Sequence, residues 1–138
     1  MATWSQGIIV LDKNKKLIKH ILPLGKTSKE IKLARATYLK QGPDGYIWAS
    51  GRDGICKIHP RTFAVDNFDN TALSQFDSAY CFTFSFTSAD DLWLSVFSQG
   101  VYHYHIGTDQ LEQFSPENGL VYKSAWCMKP DLQGNMYI

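Results

Sequence analysis

An all-β chain built from repeated four-stranded meanders is predicted by three observations. Landmark residues recur at a period of about 44 to 47 residues. Short apolar runs alternate with clusters of Gly, Pro, Asp and Asn, with no sustained helical period. Aromatic residues, which favour half-buried pleated surfaces, make up 14% of the 138 residues.

The period carries most weight, because a repeat decides the fold before any single element does. "YIWASGRDGICKIHP" has a counterpart in "DLWLSVFSQGVYHYHI". Trp48 aligns with Trp93, Ser50 with Ser95, Gly54 with Gly100, Ile55 with Val101, Ile58 with Tyr104 and His59 with His105, with an extra residue in the second turn. Near the start, "WSQGIIVLD" matches "FSQGVYHYH", which makes Gly7 the counterpart of Gly54 and Gly100. Near the end, "QGNMYI" matches "DGYIWA" and puts Tyr137 at the tryptophan position. Upstream of these landmarks "SAYCF" echoes "SAWCM", with "RATYL" a weaker third version.

Within one period the order is strand "LARATYLK", turn "GPDG", strand "YIWAS", turn "GRDG", strand "ICKI", turn "HPRT" and strand "FAVDNF". The connectors hold the residues that accept the left-handed or preset dihedrals of tight turns, so the four strands read as an antiparallel meander. In "VYHYHI" the side chains of Val101, His103 and His105 fall on one face and those of Tyr102, Tyr104 and Ile106 on the other. "KEIKLARATYL", with Ile31, Leu33 and Leu39, is the best rival helix, set aside because it echoes two strand-like segments.

Four strands per period of about 45 residues are the signature of a β-propeller blade, and closing a ring takes about 4 to 8 blades in the common range. About three blade-equivalents fit here, so an incomplete propeller over 1–138 is expected: residues 1–27 end a truncated first blade, 28–72 and 73–117 are complete blades, and 118–138 begin another. Blade faces left uncovered would be met by further blades of a longer chain or by self-association.

Composition narrows the function classes. The net charge is +1 and the 14 basic residues form no dense block, although "KNKKLIK" and "KTSKEIK" make the first third locally basic. A nucleic-acid partner, which needs a concentrated basic face, is therefore not indicated. Cys56, Cys81 and Cys127 are odd in number and widely spaced, so neither a disulfide framework nor a zinc motif is signalled, and free, mostly buried thiols are expected. No stretch approaches the roughly 18 apolar residues of a membrane helix, and residues 1–30 lack a signal-peptide core.

Candidate chemistry is sparse. Trp48 and Trp93 occupy one repeat position and read as packing residues between blades. Gly7, Gly54 and Gly100 read as turn glycines with positive φ. His103 and His105 form an H-x-H pair able to offer two metal ligands, but no third ligand is indicated, so no metal or cofactor is assigned. Asp90 and Asp91 fall in an expected turn and read as solvated. No nucleophile elbow appears, so no catalytic residue is assigned.

The pattern D-x-x-G-x-[IL]-W-[LIA]-x-[ST] followed by G-[IVL]-x-x-[YI], seen in "GPDGYIWASGRDGICKI" and less completely in "ADDLWLSVFSQGVYHY", resembles the two-component regulator propeller repeat. "FSPENGL" is similar to the connector before a new blade in that family. Departures are Asp90-Asp91 in place of a turn glycine and Tyr137 in place of the tryptophan. The resemblance implies a periplasmic sensor region of a hybrid histidine kinase, binding an oligosaccharide or other small ligand, with signalling domains elsewhere in the parent chain.

In a propeller the loops entering each blade and those between second and third strands open on one rim. Here these are "PLGKTSKE", "DNTALSQFDSA", "SPENGLVYKSA", "GRDG" and "FSQG". Arg35, Arg52, Asp53, Gln99 and Lys123 are the polar candidates for ligand contact, and Tyr80, Tyr122 and Trp126 the stacking ones. Two other readings remain open, a lyase- or hydrolase-type propeller enzyme and a protein-interaction scaffold, since propellers host many functions.

Overall fold

The computed structural model describes residues 7–23 and 30–138. Trp4 to Gln6 of the first repeat copy and most of "PLGKTSKE" lie outside them, as does the expected boundary at 27/28. Strands β1 (Ile8–Leu11) and β2 (Leu17–Ile21) form an antiparallel pair. Next comes a four-stranded sheet of β3 (Arg35–Gln41), β4 (Ile47–Arg52), β5 (Gly54–Ile58) and β6 (Val65–Asp66), in that spatial order. A second follows the same plan with β7 (Cys81–Phe86), β8 (Asp91–Val96), β9 (Gly100–His105) and β10 (Gln110–Phe114). The short pair β11 (Lys129–Pro130) and β12 (Met136–Tyr137) ends the chain. Sheet order equals chain order and every pairing is antiparallel, so the chain is all-β with propeller-type blades. β7 lies beside both β3 and β11, so the first strands of successive units converge.

Register makes the repeat physical. Trp48 stands opposite Lys57, and Trp93 opposite His103. Both blades carry an irregularity at one place, between Ala36 and Tyr38 and between Cys81 and Thr83, which brings Tyr38 opposite Ser50 and Thr83 opposite Ser95. Ala36 therefore corresponds to Cys81, not to Ala79 as "RATYL" against "SAYCF" suggests. The bulge adds a residue that a period-two reading does not see.

Segment 31–41 is not helical: Ile31 bridges Pro23, and β3 pairs along β4. The fourth strand read from "FAVDNF" shortens to Val65–Asp66. "DNTALSQFDSA" is more than a loop, because Ala72–Phe76 forms a 3-10 helix capped by Thr71, whose hydroxyl accepts from the Leu73 N–H. Leu73 and Phe76 are buried beneath it. Lys32 ties this connector to the start of its blade through ion pairs with Asp69 and, at 2.6 Å, Asp77; those two partners, Asp69 first, raise its pKa.

The core is divided among the seams between units. Ile8, Ile21, Ile31, Leu33, Ala49, Cys56 and Ile58 pack where the first pair meets the first blade. Trp48 fills the seam between the blades, stacked on Phe68 at 5.1 Å and edge-on to Phe86 of β7 at 5.2 Å. Val101, Ala125 and Met128, with Trp93 and Phe114 against them, form the third seam. Cys56 and Cys81 are buried, and burial pushes the Cys81 thiol up to about 12. Cys127 is exposed, so the thiols are free and mostly buried, as expected.

Two glycines are required by space as well as by dihedral. Gly7 (φ 78°) just precedes β1 and Gly100 (φ 105°) begins β9, each at a point where a Cβ would stand 2.1 Å from the Ile21 carbonyl oxygen or 2.2 Å from that of Phe114.

Candidate functional site

One rim of the two blades is assembled where the turn between second and third strands meets the next connector. In the first blade the turn after β4 is held to the incoming connector by the Asp53 N–H, which donates to the Ala79 carbonyl at 2.9 Å, and by a bridge between Arg52 and Tyr80. In the second the Gly100 N–H donates to Lys123 O at 2.9 Å and the Ser98 N–H to the Ser124 hydroxyl at 3.0 Å. The turn between second and third strands thus clasps the connector entering the next unit, which is why both kinds of loop share an end.

Upon that scaffold sits an aromatic platform. Trp126 lies nearly parallel to Phe82 with centroids 4.4 Å apart, and Phe82 meets Tyr80 and Phe97 edge-on at 4.9 and 5.4 Å. Trp126 is 77% exposed and Phe97 53%, so the rings present apolar faces to solvent. Trp126, Tyr122 and Cys127 line an open cleft of about 400 Å³ beside the platform.

The structure brings Tyr80 and Trp126 together through Phe82, with Arg52 and Asp53 joined to them along the bridge to Tyr80. Arg35 lies opposite Arg52 in the sheet. Gln99 and Lys123 flank the second clasp: the Gln99 side chain accepts from the Tyr102 hydroxyl at 3.3 Å, and the Lys123 ammonium stands 4.0 Å from Glu117. Tyr122, 77% exposed, lines the cleft with Trp126. Phe82 and Phe97 escaped sequence reasoning, although Phe97 at the start of the "FSQG" rim loop was a usable signal.

A second constellation lies on the face of the second blade. Asp91 is not a turn residue but the first residue of β8, directly opposite His105. Its Oδ1 is 3.0 Å from His103 Nε2 and 3.0 Å from His105 Nδ1. Its Oδ2 accepts from the Ser88 hydroxyl at 2.6 Å. That hydroxyl first, and then the two imidazoles, hold the Asp91 carboxyl below the ordinary carboxylate range against the opposing effect of partial burial. His103 stacks on Trp93 at 4.4 Å with the planes 15° apart. The third group absent from the H-x-H reading is thus Asp91, legible once the Trp93–His103 pairing is known.

The sequence profile of a domain of unknown function, DUF5074, matches residues 1–127. The chain belongs to the DUF5074 family. No curated protein matches it. Among solved structures, it is similar to two extracellular domains from B. thetaiotaomicron, each assigned to a hybrid two component system. That of BT3049 superposes with a TM-score of 0.71 at 13% identity, over 90% of this chain and 17% of the other. That of BT4673 gives 0.60 at 16% identity, over 94% of this chain and 15% of the other. At such identity the likeness is one of fold, and the DUF5074 chain spans about a sixth of either neighbour's length. Among its described residues no helix is long and apolar enough to cross a membrane.

Proposed function

We propose that this chain is the ligand-binding part of an extracytoplasmic, periplasmic sensor of a two-component system. In this reading it takes an oligosaccharide or another small ligand on its rim and binds without catalysing. The observation that carries the reading is the exposed platform of Trp126, Phe82, Tyr80 and Phe97, held on paired backbone clasps and flanked by Arg52 and Lys123. Pyranose rings offer apolar faces that stack on such rings, while their hydroxyls bond to nearby charged and amide groups. The repeat's resemblance to two-component regulator propellers and the fold likeness to extracellular domains of such systems support the same role. Binding would pass to signalling domains of the parent chain as a shift of geometry or of contact between copies.

Calorimetric titration of the protein with a panel of oligosaccharides tests this. A binder whose affinity falls at least about tenfold, roughly 1.4 kcal/mol, on Trp126→Ala is expected. A binder indifferent to Trp126→Ala and Arg52→Ala, or no binder in the panel, contradicts the rim assignment.

A further inference from the structure

We propose that Asp91, His103 and His105 form a binding site for a divalent transition-metal ion of the zinc type. Two imidazoles and one carboxylate are a donor set suited to such ions, and three protein ligands leave a position for water. The three candidate ligand atoms lie within 4.8 Å of one another. Tetrahedral metal–ligand bonds of about 2.0–2.2 Å place neighbouring ligand atoms about 3.3–3.6 Å apart, so Asp91 Oδ1, 3.0 Å from each histidine nitrogen, would have to move out by only a few tenths of an ångström to admit an ion. A metal ion would take the place of the protons that join the rings to the carboxylate, and its binding releases them.

Support around the ligands is already built. The Ser88 hydroxyl occupies Asp91 Oδ2 and leaves Oδ1 turned to the rings, the arrangement that orients a carboxylate ligand from outside. Trp93 backs His103, whose side chain is only 15% exposed, while that of His105 is 40% exposed and opens the group to solvent. All three residues stand on paired strands.

Comparison of the two blades sets this group apart from repeat packing. The positions of Asp91, His103 and His105 are held in the first blade by Tyr46, Lys57 and His59. There Tyr46 packs edge-on against His59 at 5.3 Å, and the Lys57 ammonium lies over the rings of Tyr46 and Trp48. The blade plan therefore needs neither an acid nor a second histidine at these places. Two residues depart from it together, and their side chains converge.

The test uses the tag-free chain carrying Cys127→Ser, which removes the exposed thiol, and Zn²⁺ and Ni²⁺ salts as probes in calorimetry. One equivalent per chain is expected, weakened more than about tenfold by His105→Ala and by Asp91→Asn, and unchanged by His59→Ala in the first blade. Partial quenching of tryptophan emission by Ni²⁺, lost in Trp93→Phe, would place the ion beside Trp93 in a chain whose fold is intact by circular dichroism. No saturable binding in the micromolar to millimolar range, or binding that survives both ligand substitutions, overturns the proposal and leaves the group a hydrogen-bonded ion cluster.

Discussion

Trp48 and Trp93 stand at the same repeat position, yet their seams are closed by different means. Trp48 is 1% exposed, wedged against Phe68, Phe84 and Phe86, and its indole N–H donates to Asp44 at 3.1 Å. Trp93 is only half-buried, stacked within its own sheet on His103 and Phe114, and its indole nitrogen finds no partner among the described residues. The position four residues before each tryptophan explains the last difference, being Asp44 in one blade and Ala89 in the other. The serines reverse the pattern. Buried Ser95 donates to the Ala125 carbonyl at 2.6 Å and accepts from the Ala125 N–H at 3.1 Å, whereas the hydroxyl of Ser50, buried too, has no partner among the described residues. A repeat thus conserves where a side chain goes, while the neighbour it meets decides what the side chain contributes.

The largest effect separating the seams is expected at the indoles themselves. Trp48→Ala removes a fully enclosed ring and should cost about 3–5 kcal/mol in denaturant unfolding, while Trp93→Ala should cost about 1–2 kcal/mol. Equal costs would mean that the two seams are packed alike. Next come the serines: Ser95→Ala strands both polar groups of Ala125 and should cost about 1–3 kcal/mol, whereas Ser50→Ala should be neutral or slightly stabilising. The smallest effect is a transplant. Ala89→Asp offers Trp93 the acceptor that Trp48 already has and should add about 0.5–1 kcal/mol, and Asp44→Ala should remove a similar amount.

Which parts of this were legible in the sequence follows from what each residue answers to. The tryptophans and turn glycines answer to a strand position or a local dihedral need that both blades share, so they repeat visibly even where their neighbours differ. Gly54 and Gly100 begin β5 and β9 with φ of 110° and 105°, as read from their place after a turn. The offset of "RATYL" was hidden by the bulge at Thr37 and Phe82, since an inserted residue changes register without any mark in composition. The 3-10 helix of Ala72–Phe76 was hidden because one turn is too short to show a period, although Thr71 is a fitting cap. Of the rim, the exposed aromatics and turn charges were foreseeable from topology, but the stack on Phe82 required knowing that two connectors converge. Asp91 was misread as a turn residue because acids are usually solvated, and its partners lie across a strand pair, twelve and fourteen residues away.

The claim on which the rest stands is that the two blades lie face to face with Trp48 between them, and a double-mutant cycle on Trp48 and Phe86 tests it most directly. These rings belong to different sheets and touch at a centroid distance of 5.2 Å. Unfolding free energies of Trp48→Leu, Phe86→Leu and the double variant should yield a coupling of about 0.5–1.5 kcal/mol. Strict additivity of the two substitutions would contradict the seam.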